Sequence, residues 1–159
     1  MEETNDIKFL RLAIRAAQEG MDKNHGGPFG AVIVKDGEIL ATACNSVTSS
    51  NDPTAHAEVS AIRIACEKLQ DFQLTGCTIY ASCEPCPMCL GAIYWARPDR
   101  LVFACGRKDA ASIDFDDDFL YHEISIPIEE RKIPTVQLLR EEGKQVFEAW
   151  LEKTDKVEY

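Results

Sequence analysis

The chain has 159 residues, 45% of them hydrophobic, which is enough for one domain with a substantial core and too few for two of ordinary size. Its 17 basic and 27 acidic residues leave a net charge of −10, spread along the whole length, and such a field opposes nucleic-acid backbones and anionic membrane surfaces alike. No apolar run approaches the ~20 residues that span a bilayer, the first six residues are acidic where a secretory signal would be basic, and the odd number of cysteines, seven, does not suit a disulfide framework; the expectation is a soluble, cytoplasmic protein with reduced thiols.

In chain order, Asn5 or Asp6 can cap a first helix in which Ile7, Leu10, Ile14 and Met21 recur near helical spacing, with Ala13 and Ala17 widening the stripe. Residues 30–34 and 38–42 flank Asp36-Gly37, a strong hairpin signal, and predict two antiparallel strands. Asp52-Pro53 reads as the cap and first residue of a helix that carries His56 and Glu58 at its start and buries Ile62, Ala65 and Leu69. Residues 77–82 are β-rich, and Pro85 can open a third helix through about residue 96. A buried strand at 101–105, another at 133–139 and an amphipathic helix at 141–153, weakened by Gly143, complete the reading. Strands alternating with helices, opened by a hairpin, predict a single α/β domain over 1–159: a three-layer α/β/α fold around a mixed sheet of about five strands.

The chemistry lies in His56-Ala57-Glu58 and Pro85-Cys86-Pro87-Met88-Cys89. An imidazole and two thiolates are three zinc ligands that leave the fourth tetrahedral position for water, and bound metal lowers the pKa of that water from 15.7 to about 7. Glu58 is spaced to handle protons beside the metal. Cys86 and Cys89 at i and i+3 share a helix face, and the positive end of that helix favours their ionised forms. Cys83 leaves a second arrangement open, because with His56, Cys86 and Cys89 it would make a closed Cys₃His site with no place for water. Its position before Pro85 and the absence of any role for Glu58 in such a site favour the open arrangement. The regular helix raises a difficulty of its own, since residues at i and i+2, as His56 and Glu58 are, do not face each other.

Residues 27–31 (Gly-Pro-Phe-Gly-Ala), 54–58 (Thr-Ala-His-Ala-Glu) and 82–97 (Ser-Cys-Glu-Pro-Cys-Pro-Met-Cys-Leu-Gly-Ala-Ile-Tyr-Trp-Ala-Arg) resemble the cytidine deaminase superfamily, whose H-x-E…P-C-x-x-C signature they contain. Within it they are most similar to the bacterial-type guanine deaminases, and the similarity resumes at 115–121 and in Glu158-Tyr159. The resemblance implies a cytidine deaminase-like fold, one Zn²⁺ per chain held by His56, Cys86 and Cys89, and Glu58 as proton shuttle. It further implies a base pocket from Phe29, Asn45, Ala57, Trp95, Asp117 and Tyr159, and a homodimer in which exchanged C-terminal segments close the partner's active site. A flat base suits stacking on Phe29 or Trp95, its N–H groups suit a carboxylate, and an amide can both donate and accept. Each residue also has a plainer reading: Phe29 and Trp95 as core aromatics, Asn45 as a turn residue, Asp117 as part of a solvated helix start in which Asp116 and Asp118 compete for the same role. His25 and His122 read as surface or loop residues, and Cys44, Cys66, Cys77 and Cys105 as small buried ones.

The activity implied is hydrolytic deamination of guanine to xanthine and ammonia, with a purine base, and neither nucleic acid nor membrane, as partner. A tRNA adenosine deaminase or another base or nucleoside deaminase shares the zinc motif, but an RNA-acting enzyme needs a basic footprint that a chain of charge −10 lacks. A non-catalytic zinc-stabilised binding module is the alternative of a different class, and it leaves Glu58 unexplained.

Overall fold

A computed structural model describes residues 4–159 and divides the chain into two compact units, Met1–Asp117 and Asp118–Tyr159. Residues 1–3 lie outside the described residues. In the first unit, α1 (Asn5–Asp22) precedes the hairpin of β1 (Gly30–Lys35) and β2 (Glu38–Cys44); a short α2 (Val47–Ser50) leads to α3 (Ala57–Leu69). Then come β3 (Cys77–Cys83), α4 (Pro87–Ala96), β4 (Arg100–Cys105) and α5 (Arg107–Ala111). The second unit contains α6 (Asp118–Ser125), a 3₁₀ turn at Ile128–Glu130 and α7 (Arg140–Glu152). Among the described residues no helix is long and apolar enough to cross a membrane.

Among the described residues the sheet has four strands, where about five were expected, in the order β2-β1-β3-β4, antiparallel except for the β3–β4 pair. Asp36 and Gly37 both have positive φ, 50° and 82°, as the tight turn matching the twist of two paired strands requires. Alternation along β1 sorts its side chains into two cores. Ala31 and Ile33 pack with Ala57, Ala61 and Ala65 of α3 and with Ile93 of α4, while Val32 and Val34 pack with Phe9 and Ala13 of α1 and with Tyr80 of β3. The sheet is therefore sandwiched between helices, the expected three layers. Ile33, Leu74 and Ile79 are the largest enclosed aliphatic side chains, each contributing about 1.5–3 kcal/mol by leaving water.

Several expected details differ. Thr4 rather than Asn5 or Asp6 caps α1, its hydroxyl accepting from Ile7 N at 3.4 Å. The buried stripe of α1 is Phe9, Ala13, Ala17 and Gly20, whereas Ile7, Ile14 and Met21 are exposed. Close approach explains the choice: a Cβ on Gly30 of β1 would stand 2.2 Å from the Ala13 carbonyl oxygen, so only a face of small residues can lie there. Residues 133–139 form no strand, since Pro134 has no amide for a ladder, and β4, the last strand in the sheet order, is mostly exposed instead of buried. Cys105 is correspondingly exposed; Cys77 is buried, and Cys44 and Cys66 are half-buried.

Candidate active site

Strand direction assembles the site. Because β1 runs opposite to both neighbours, pairing Gly30 with Cys44 and Ala31 with Ala81, the start of β1 and the ends of β2 and β3 meet at one end of the sheet. Phe29, Asn45 and the segment beyond Cys83 emerge there together. Backbone bonds tie these loops: Asn45 N donates to Phe29 O at 2.9 Å, Ser46 N to Ala55 O at 3.0 Å, and Gly30 N to the Ser82 hydroxyl at 3.0 Å.

Both metal-motif helices begin later than expected, and the delay is what makes the site. Asp52 does not cap α3; its carboxylate accepts from the amide and hydroxyl of Thr54 at 2.8 and 2.7 Å, a local turn that keeps these residues outside the helix. His56 is the N-cap, with extended backbone at φ −67° and ψ 155°. Its imidazole therefore leaves the chain before the helical period begins, and Glu58, the second helical residue, is free to turn toward the same point. Pro85 likewise stands before α4, where Pro87 takes the first helical position and Cys86 the cap, at φ −65° and ψ 168°. An N-cap side chain faces the third helical residue, here Cys89, as capping serines do.

Nδ1 of His56 lies 3.6 Å from Sγ of Cys86 and 3.4 Å from Sγ of Cys89, and the three atoms fall within 4.8 Å of one another. Tetrahedral zinc bonds of about 2.0–2.1 Å to nitrogen and about 2.3 Å to sulfur put the two ligand atoms about 3.6 Å apart, so this set fits Zn²⁺. The ionisation of the three groups is linked. Hydrogen bonding from Cys89, with a further bond to His56, holds the Cys86 thiol down to about 4, and the bond with Cys86 raises His56. Cys89 is pushed up by its bond to Cys86 and by burial. A dication that binds both sulfurs takes them as thiolates.

Cys83 stands apart from this set. Its thiol donates to Gly106 O at 3.8 Å, and burial pushes it up to about 11. His56, Cys86 and Cys89, without Cys83, are thus the three side chains the fold brings together, with Glu58 beside them. That carboxylate is only 8% exposed and accepts from Cys89 Sγ at 3.5 Å; burial above all raises its pKa, favouring the protonated form.

Of the residues expected to hold a base, Ala57 is fully buried directly after His56, and Asn45 is buried at the end of β2. Phe29 is half-buried and meets Phe115 edge-on, their ring centroids 4.9 Å apart and their planes at 85°. Asp117 follows two residues later and is half-buried where Asp116 and Asp118 are exposed. Trp95, on α4, is 64% exposed, and Tyr159 is exposed within the second unit. His25 is in contact with Cys44, its Nδ1 3.6 Å from Sγ, and His122 is exposed. Phe115 was not singled out from the sequence, although it opens the stretch in which the resemblance resumes.

Residues 3–105 match the family described as "Cytidine and deoxycytidylate deaminase zinc-binding region". Guanine deaminase of Bacillus subtilis (strain 168) is 56% identical over 155 residues, which cover 98% of this chain and 99% of that protein. An X-ray structure of guanine deaminase from Bacillus subtilis superposes with a TM-score of 0.94 at 56% identity, covering 96% of this chain and 97% of that one. A tRNA-specific adenosine deaminase of Aquifex aeolicus (strain VF5) is 39% identical over 130 residues, covering 77% of this chain and 85% of that protein. This chain belongs to the guanine deaminase family, within the superfamily built on the cytidine and deoxycytidylate deaminase zinc-binding region.

Proposed function

We propose that this protein hydrolyses guanine to xanthine and ammonia, using a zinc ion held by His56, Cys86 and Cys89. The observation that carries the reading is the buried Glu58 carboxylate beside three side chains whose spacing fits an open tetrahedral site. Zinc held there would supply a water acidic enough to be deprotonated near neutral pH. Glu58 would accept a proton from the attacking water, pass it to ring N3 as the oxygen adds to the amino-bearing C2, and then help protonate the departing amine. One carboxylate serves in turn as base and acid.

Guanine as the base is supported by the 56% identity to the Bacillus subtilis guanine deaminase. Phe29, buttressed by Phe115, offers a stacking face; Asn45 and Asp117 read the polar edges of the ring, Ala57 lies against it, and Trp95 borders it. The pocket takes a free base and not a nucleic acid, consistent with the net charge of −10. Seven free thiols support a reducing, cytoplasmic setting.

The protein acts as a homodimer in which the segment ending at Tyr159 closes the partner's active site. Exposed apolar side chains in the second unit, among them Ile133, Leu138, Phe147 and Leu151, support a partner surface of this kind. Ammonia release from guanine, adenine, cytosine and their nucleosides tests the reading, with guanine expected to be the preferred substrate. Inosine formed in a tRNA anticodon would favour instead the activity named for the Aquifex aeolicus relative.

A further inference from the structure

Asn45 is not free to choose what it offers a ligand. Gly27 N and Val47 N both donate to its Oδ1, each at 3.2 Å. A carbonyl oxygen has two lone pairs, and both are taken. The assignment does not depend on how the amide is labelled, because two backbone N–H groups converging on one terminal atom require that atom to be the oxygen. Gly26 makes the clamp possible: a Cβ there would stand 2.1 Å from Oδ1 and 2.8 Å from the Asn45 carbonyl oxygen. What remains at the tip of Asn45 is the NH₂ group, which carries two donors and no acceptor.

We infer that the backbone amides of Gly27 and Val47, seated by Gly26, lock Asn45 as a donor-only group and thereby select a base whose facing edge carries acceptors alone. The inference rests on the reading that Asn45 faces the base. An unconstrained asparagine pairs best with the edge of adenine, donating to N7 while accepting from the 6-amino group. The locked amide cannot accept. It matches the O6 and N7 edge of a 6-oxopurine, where both atoms are acceptors, and it meets a 6-aminopurine donor against donor. That edge lies across the ring from C2, so it faces Asn45 while the amino-bearing carbon faces Glu58. Gly26, Gly27 and Val47 are positioning residues in this scheme, acting only through Asn45.

The test is calorimetric binding of hypoxanthine and adenine to the zinc-loaded wild type and to Asn45→Asp. Both ligands lack a 2-amino group. In the variant, one carboxylate oxygen still accepts from the two amides, so the clamp survives, while the other turns an acceptor toward the base. The wild type should bind hypoxanthine at least about tenfold more tightly than adenine, and Asn45→Asp should move that ratio at least about tenfold toward adenine. Differences at N1 are common to both proteins, so the shift between them reports on position 45. An unchanged ratio in a zinc-replete variant overturns the inference. Gly26→Ala provides the second variant: displacing the amide should bring the ratio toward one, and retention of the wild-type ratio counts equally against the lock. Binding is read without turnover, so wild-type protein that releases no ammonia from guanine refutes the proposed activity separately from this result.

Discussion

Oε2 of Glu58 and Sγ of Cys89 stand 3.5 Å apart, so the carboxylate touches the ligand cluster without belonging to it. Glu58→Ala should therefore keep the fold and bound zinc while turnover falls by at least ~10²-fold, the low end for a positioned acid/base. Metal analysis together with steady-state rates on guanine checks both halves. Near-normal deamination at full zinc occupancy would mean that another group moves the proton.

The three neighbouring cysteines should separate cleanly. Cys86→Ser and Cys89→Ser each remove a clustered sulfur and should lose zinc and activity together, whereas Cys83→Ser alters a thiol bonded to Gly106 O and should bind zinc stoichiometrically. Zinc content per chain is the measurement. Loss of metal from Cys83→Ser would point back to the closed Cys₃His arrangement.

Phe115 holds the Phe29 ring edge-on. Aromatic pairs of this geometry contribute about 0.5–1.5 kcal/mol beyond their buried area, so Phe115→Ala should raise KM for guanine about two- to tenfold and leave kcat largely unchanged. A fall in kcat at constant KM would argue that Phe115 contributes to the chemical step and not to seating the base.

Far from the site, Asp6 links α1 to the sheet, accepting from Tyr80 Oη at 2.7 Å and from Arg100 Nη2 at 3.0 Å. The Arg100 hydrogen bond, then that from Tyr80, lowers the Asp6 pKa, while burial and Asp6 push the Tyr80 phenol up to about 12. A carboxylate depressed on folding stabilises the native state above its unfolded pKa of about 3.9, and that stabilisation is lost as pH falls through the folded value. Asp6→Asn should accordingly lower Tm at pH 7, with the difference from wild type shrinking below about pH 4. Thermal unfolding of both proteins across this range tests it, and zinc loss common to the two cancels in the difference. A gap that stays constant into acid would assign the effect to shape rather than charge.

Deleting residues 157–159 should leave zinc content and dimerisation in place and sharply reduce kcat/KM for guanine, because an enclosing segment excludes water and orients the base. Tyr159→Phe separates loss of the hydroxyl from loss of the cover. Full activity in the truncated protein would take Tyr159 out of the site.

By itself, the order of residues determined the features that depend on neighbours in the chain. Asp36-Gly37 specified a tight turn, the apolar run at 30–34 beside it specified a strand of the hairpin, and one imidazole, two thiolates and an isolated glutamate specified metal chemistry before any geometry was available. Only the tertiary structure decided the rest. Ile7 and Ile14 have the helical spacing of a buried stripe, yet Phe9, Ala13 and Ala17 are inside, because the distance at which α1 crosses Gly30 is a property of two elements and not of one. His56 and Cys86 became caps instead of helical residues, which gave each side chain a direction that no helical wheel contains. Residues 133–139 have strand composition but form no strand, Pro134 removing one of the amides a ladder would use. Asn45, which on paper can donate or accept, is reduced to a donor by amides from residues 27 and 47, one of them across the hairpin. A hydrogen-bonding group's polarity is spent by whatever folds against it, and that is set in three dimensions.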